Sequence, residues 1–175
     1  RVQGAQIIAQ DENSTYEIVK AVRKSTTLTV IAKLSPNVTD ITDIARAAEK
    51  AGADALSLVN TFMGMAVDIE TKKPKLGNIT GGLSGPAIKP LALRFAYDAY
   101  KAVKIPVIGI GGIMDYKDAI EFILCGAAAV QIGTANFVNP NAAKEIVKGI
   151  KEYLAVNKIN DISQIKGMLK DESER

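Results

Sequence analysis

Along the chain, short runs of apolar and β-branched residues alternate with longer stretches in which apolar residues return every three or four positions. The runs Thr29–Leu34, Ala55–Val59, Pro106–Ile110 and Ala128–Ile132 read as strands. Their near-continuous Val, Ile, Leu and Ala content fits strands covered on both faces. Ser14, with Glu17 three residues on, predicts a capped helix to about Lys24. Thr39 or Asp40 caps a second helix to about Ala51, stopped by Gly52. Further helices are predicted over Pro86–Val103, Asp115–Leu124 (closed by Gly126) and Pro140–Ala155, with a short one at Ile162–Met168. Asn60–Gly85, rich in Gly and Thr, reads as a long loop with a hairpin around Val67–Leu76. The charged end, Lys170–Arg175, reads as a frayed tail.

Strands alternating with helices predict a parallel α/β sheet. Two phrases, Ala-Gly-Ala-Asp-Ala-Leu-Ser-Leu at 51–58 and Cys-Gly-Ala-Ala-Ala-Val-Gln-Ile-Gly at 125–133, share one layout: a helix end, Gly, small residues, then a strand. That is a quasi-repeat of the βα unit of barrels. The pattern alone leaves a doubly wound sheet open.

The chain has 175 residues, 47% hydrophobic and 23% charged, which suits one soluble globular domain. A formal net charge of +3 is too small to imply nucleic acid or an anionic membrane surface. The apolar runs, such as Ala127–Ile132, fall far short of the ~20 residues of a membrane span. No apolar signal region follows Arg1. The one cysteine, Cys125, allows no intrachain disulfide, and a cytoplasmic setting is expected. There is no histidine, so the usual general base, the usual zinc ligand and a Ser-His-Asp triad are all missing from this chain.

The strongest chemical signal is a pair of glycine-rich strand ends, Ile108-Gly109-Ile110-Gly111-Gly112-Ile113 and Gln131-Ile132-Gly133-Thr134-Ala135. In barrels the loops after strands seven and eight commonly bind phosphate, and glycines let backbone N–H groups approach its oxygens. Tight turns alone would also use such glycines. The first run does not fit the dinucleotide fingerprint Gly-x-Gly-x-x-Gly. Lys33, at a strand end, points either into the barrel mouth, where it would stabilise an anion, or to solvent. Asn60 and Thr61 can bond a polar planar ligand or merely cap a turn. Thr80-Gly81-Gly82-Leu83-Ser84-Gly85-Pro86-Ala87, before a helix, is an anion or ring-edge site or a hinged loop. Cys125 reads as a small buried hydrophobe. Asp54, Asp68 and Lys72–Lys73 read as solvated loop charges.

Taken together, the string 33–40 (Lys-Leu-Ser-Pro-Asn-Val-Thr-Asp), Val59-Asn60-Thr61, the string 80–90 ending Ala-Ile-Lys-Pro, Gly111-Gly112-Ile113 and Gly133-Thr134-Ala135-Asn136-Phe137 resemble the class 1B catalytic subunits of the dihydroorotate dehydrogenase family. The resemblance runs to about Tyr153. It implies the C-terminal half of a (β/α)8 TIM barrel over residues 1–175, binding FMN and oxidising dihydroorotate to orotate in pyrimidine synthesis. By position it implies that Lys33 lies beside the flavin and stabilises the charge of its reduced form. Val59 and Gly85 would contact FMN through backbone. Gly111, Gly112, Gly133 and Thr134 would hold its phosphate, and Asn60 and Thr61 would bond the orotate ring.

The family's base is a cysteine in an Asn-x-x-Cys-Pro-Asn motif, which this chain lacks; the resemblance places it, with the first four strands, upstream of Arg1. Four strands cannot close a barrel, so the chain is expected to be a fragment, inactive alone, or a half needing a complement. The resemblance also implies a homodimer and, for class 1B, a partner subunit with FAD and an iron–sulfur cluster passing electrons to NAD; class 1A would use fumarate. The alternative is a phosphate-binding barrel isomerase or lyase acting on a phosphosugar.

Overall fold

A computed structural model describes residues 8–170. Its elements are α1 (Glu12–Ser25), β1 (Ile31–Lys33), α2 (Ile41–Lys50), β2 (Ala55–Leu58), β3 (Phe62–Met65), β4 (Val67–Asp68), β5 (Lys73–Pro74), β6 (Thr80–Leu83), α3 (Lys89–Ala102), β7 (Val107–Ile110), α4 (Tyr116–Leu124), β8 (Ala129–Gln131), α5 (Ala135–Val138) and α6 (Ala142–Val156). β1, β2, β7 and β8 form one four-stranded sheet in that order. Every pair is parallel, with Lys33 beside Ser57, Leu58 beside Gly109 and Ile110 beside Gln131.

The two-residue period of a strand divides this sheet into unlike faces. Ala32, Leu56, Leu58 and Val107 turn toward the helices and are buried, as is Phe122 of α4. α1 packs on α2, α2 on α3, α3 on α4 and α4 on α6, so the helices follow one another as a single outer layer. On the other face Ile31, Ala129 and Gln131 are exposed and Ile108 and Ile110 half-buried. A doubly wound sheet would reverse its strand order and carry helices on both faces. This sheet does neither; it is half of a (β/α)8 barrel.

Several boundaries differ from the sequence expectation. The first helix is capped by Asp11, whose carboxylate accepts the Ser14 N–H at 2.7 Å. Ser14 therefore lies inside the first turn; Asp competes equally well for the cap. Asp40, not Thr39, caps α2. Within the expected loop, β4 pairs with β5 as the hairpin, but β3 and β6 also pair antiparallel, which the sequence did not suggest. β6 is Thr-Gly-Gly-Leu, and glycines carry none of the side-chain signature of a strand. Residues 86–88 form a 3-10 turn ahead of α3. The short helix α5 was unforeseen, and the predicted helix at Ile162–Met168 is a 3-10 turn over Ile162–Ile165. Arg1 and most of the predicted tail lie outside the described residues.

Asp68 is a turn cap, accepting the Glu70 and Thr71 N–H groups at 3.0 Å. Asp54 is not a free surface charge. Its Oδ2 accepts Arg23 Nη1 at 2.8 Å and the Val30 N–H at 2.7 Å. Arg23 also donates to the carbonyls of Thr26 at 2.6 Å and Leu28 at 2.7 Å. The pair thus ties the end of α1, the entry to β1 and the start of β2. An exposed ion pair alone is worth little, but removing this carboxylate strands a backbone donor. Asp54→Ala is expected to lower stability by about 1–3 kcal/mol, read as a drop in the urea midpoint at unchanged slope. Arg23→Lys is expected to fail as a substitute, because one ammonium cannot reproduce the guanidinium fork.

Candidate functional site

Parallel strands deliver their carboxyl ends to one edge, and the loops leaving that edge close around a cavity of about 280 Å³. All nine residues singled out from the sequence line it: Lys33, Val59, Asn60, Thr61, Gly85, Gly111, Gly112, Gly133 and Thr134. The two glycine turns follow neighbouring parallel strands, so they emerge side by side. Lys33 is the only charged residue in the lining, and its ammonium has no carboxylate partner among the described residues. A cavity whose lining holds one cation and no acid suits an anionic ligand.

Backbone bonds fix the strand ends. The Val59 N–H donates to the Ile110 carbonyl at 2.8 Å and the Asn60 N–H to the Leu34 carbonyl at 3.0 Å. Asn60 Oδ1 accepts the Thr61 N–H at 2.8 Å, so the capping use anticipated for this pair is present inside the cavity wall. With its oxygen engaged, the Asn60 side chain keeps its NH2 for a ligand. Thr134 Oγ1 donates to Ser84 Oγ at 2.9 Å, joining the second glycine turn to the segment before Gly85.

The glycines differ in what they accommodate. Gly112 has φ +75°, and a Cβ there would lie 2.7 Å from the Lys89 nitrogen and 2.8 Å from its Cα. The fold itself demands glycine at this point. Gly133 has no unusual φ, and a Cβ there would meet nothing within 4 Å. No neighbour in the described chain explains its missing side chain; Gly133 also lines the cavity, which fits a group such as phosphate approaching the backbone.

Other contributors receive no role of their own from the sequence, although Asn37, Ser84 and Phe137 stand in strings already singled out. Ser57, 2% exposed, donates from Oγ to Gln131 Oε1 at 2.7 Å, crossing over β7 on the inner face. A lone hydroxyl within an apolar strand was the available signal. Asn37 spans two loops: its Nδ2 donates to the Thr61 carbonyl at 3.0 Å and its Oδ1 accepts the Met63 N–H at 2.9 Å. Ser84 and Phe137 also line the cavity. Cys125 does not; it is a free, buried thiol at the end of α4. Burial, and secondarily Glu121, pushes that thiol above its ordinary value, so it is a poor nucleophile or base.

Fold and geometry define a class: half of a (β/α)8 barrel with a cavity at the carboxyl ends of its strands. A sequence profile of the dihydroorotate dehydrogenase family matches residues 1–154. The chain belongs to the dihydroorotate dehydrogenase family. It is similar to the catalytic subunit of dihydroorotate dehydrogenase B (NAD(+)) from Desulforamulus reducens, with 58% identity over 94% of this chain and 54% of the relative. The corresponding subunit of Caldicellulosiruptor saccharolyticus is 54% identical over 94% of this chain and 55% of its own. The chain thus spans about half the length of the curated relatives it matches. Among solved structures, DHODH from Eimeria tenella in complex with ferulenol shares the fold with a TM-score of 0.76, covering 91% of this chain and 49% of that one at 24% identity.

The contrast between the glycines yields a test. Gly133→Ala is expected to leave the unfolding free energy of the ligand-free protein, from urea titration, within about 0.5 kcal/mol of wild type, yet to weaken a phosphate-bearing ligand roughly tenfold. Gly112→Ala is expected to cost on the order of 1–3 kcal/mol of stability from the backbone alone. Equal stability losses for the two would remove the distinction.

Proposed function

We propose that this chain is the C-terminal half of the FMN-binding barrel of an enzyme that oxidises dihydroorotate to orotate in de novo pyrimidine synthesis. The observation that carries the reading is the convergence of one unpaired lysine, a polar Asn-Thr pair and two glycine turns on a single cavity free of acidic residues. The family membership and the names of the relatives support it.

Bound FMN would supply the two-electron acceptor. The backbone amides around Gly111, Gly112, Gly133 and Thr134 would donate to its phosphate, and Val59 and Gly85 would border it through main chain. Lys33 would lie beside the flavin and offset the negative charge it gains when the substrate is oxidised. Asn60, through its free NH2, and Thr61 orient the planar substrate by hydrogen bonds. Cys125, buried outside the cavity, takes no part; the base that removes the substrate proton belongs, in this reading, to a Cys-Pro motif carried by the other half of the barrel. The relatives' designation as NAD(+)-linked catalytic subunits supports NAD over fumarate as terminal acceptor. A separate FAD and iron–sulfur subunit, a homodimer of catalytic subunits and a cytoplasmic setting complete the proposal.

Lys33→Ala in the holoenzyme is expected to slow flavin reduction by dihydroorotate roughly a hundredfold, the usual cost of losing one preorganised charge contact of ~3 kcal/mol. FMN content should persist, because the phosphate contacts are untouched. Lys33→Arg should rescue only partly, its planar fork being unable to replace a compact ammonium. Stopped-flow absorbance measures all three. An unchanged reduction rate with weakened substrate affinity would make Lys33 a substrate ligand instead. A purified wild-type holoenzyme without a flavin absorption band would favour phosphosugar chemistry.

A further inference from the structure

Behind the first glycine turn, and outside the cavity lining, lies a cluster of charges that no step above uses. Lys89, the first residue of α3, places its ammonium 2.6 Å from Asp118 Oδ1 and 3.0 Å from the Glu121 carboxylate. The Lys89 and Asp118 side chains are only 25% and 14% exposed. Asp118 Oδ2 turns the other way and accepts the Met114 N–H at 2.8 Å and the Asp115 N–H at 3.2 Å. The backbone of Lys89 closes on Gly112, where a Cβ would overlap it. One residue therefore grips the turn Gly111-Gly112-Ile113-Met114 at both ends. Its main chain abuts Gly112, and its side chain fixes the carboxylate that holds Met114.

The capping of α4 does not require this ion pair. Asp115 caps the helix through the Lys117 and Asp118 N–H groups, and Asp118 completes the capping box with Oδ2 alone. The Lys89 contact is additional, made through the other oxygen. Charge gives it a purpose: two carboxylates behind a turn that receives a phosphate would repel the ligand, and Lys89 offsets them. Pairing with Asp118 raises the Lys89 ammonium above its ordinary value against the opposing effect of burial. Burial would raise Asp118, but Lys89 and the two backbone amides outweigh it and hold the carboxyl below its usual range. Both partners thus stay charged at neutral pH.

We propose that Lys89 and Asp118 are positioning residues that shape the β7–α4 turn for a phosphate and neutralise its surroundings, setting phosphate affinity without touching the ligand. This rests on the reading of the cavity as an FMN site.

The test compares FMN with riboflavin, which lacks the phosphate, by titrating flavin-stripped holoenzyme and following flavin fluorescence. Lys89→Met is expected to weaken FMN about tenfold, the worth of one charge-assisted hydrogen bond, and to leave riboflavin affinity unchanged. Lys89→Arg should restore most of the loss. Lys89→Gln, which keeps a polar contact to Asp118 without the charge, should also lower FMN affinity selectively; it decides the matter if Lys89→Met does not fold. Loss of FMN and riboflavin affinity in equal measure, or of neither, in whichever variants fold would overturn the proposal. A wild-type protein that binds neither flavin would instead overturn the FMN reading itself.

Discussion

Parallel pairing throughout the central sheet governs everything built on it. When neighbouring strands share one direction, each must be followed by a crossover, and every carboxyl end reaches the same edge. β1, β2, β7 and β8 obey this in unbroken order, so residues as distant in sequence as Lys33 and Thr134 meet at one cavity. The crossover helices cover one face and bury Leu56, Leu58, Val107 and Phe122 beneath them. On the other face Ile31, Ala129 and Gln131 are exposed and Ile108 and Ile110 half-buried.

Chemistry at this edge depends on backbone as much as on side chains. The turn after β7 is pressed against the start of α3, whereas the turn after β8 opens toward empty space at Gly133. Ser84 and Thr134 tie the second turn to the segment that precedes α3. The start of α3 is consequently the common support of both turns: its Lys89 braces the first, and the residues just ahead of it bond the second. Asn37 performs a similar service on the Asn60-Thr61 side, linking the β1–α2 loop to Thr61 and Met63.

Much of this arrangement was legible from the residues. The four strands and the long helices follow from apolar runs and caps, and the glycine turns from strand-end glycines, because those signals are local; the roles of the remaining candidate site residues, Val59 among them, come from the family resemblance. What escaped was pairing between distant segments. β3 and β6 are joined by backbone bonds through glycines, so no side-chain pattern announced them. Asp54 looked like a loop charge because Arg23 and Val30 lie 31 and 24 residues away. Ser57 and Gln131 are 74 residues apart and meet only once the sheet curves. Lys89 and Asp118 stand in stretches correctly read as helical, yet their ion pair depends on how α3 and α4 pack.

The claim on which the account turns is that the two glycine turns share one phosphate and that Lys33 faces the ring attached to it. Crystallography of the holoenzyme measures this directly, by locating the phosphorus atom and the isoalloxazine ring relative to this sheet edge. The account predicts FMN with its phosphate between the turns after β7 and β8, accepting N–H groups from both, and its ring beside the Lys33 ammonium. A phosphate seated elsewhere on the barrel, or a flavin whose ring lies away from Lys33, would contradict it.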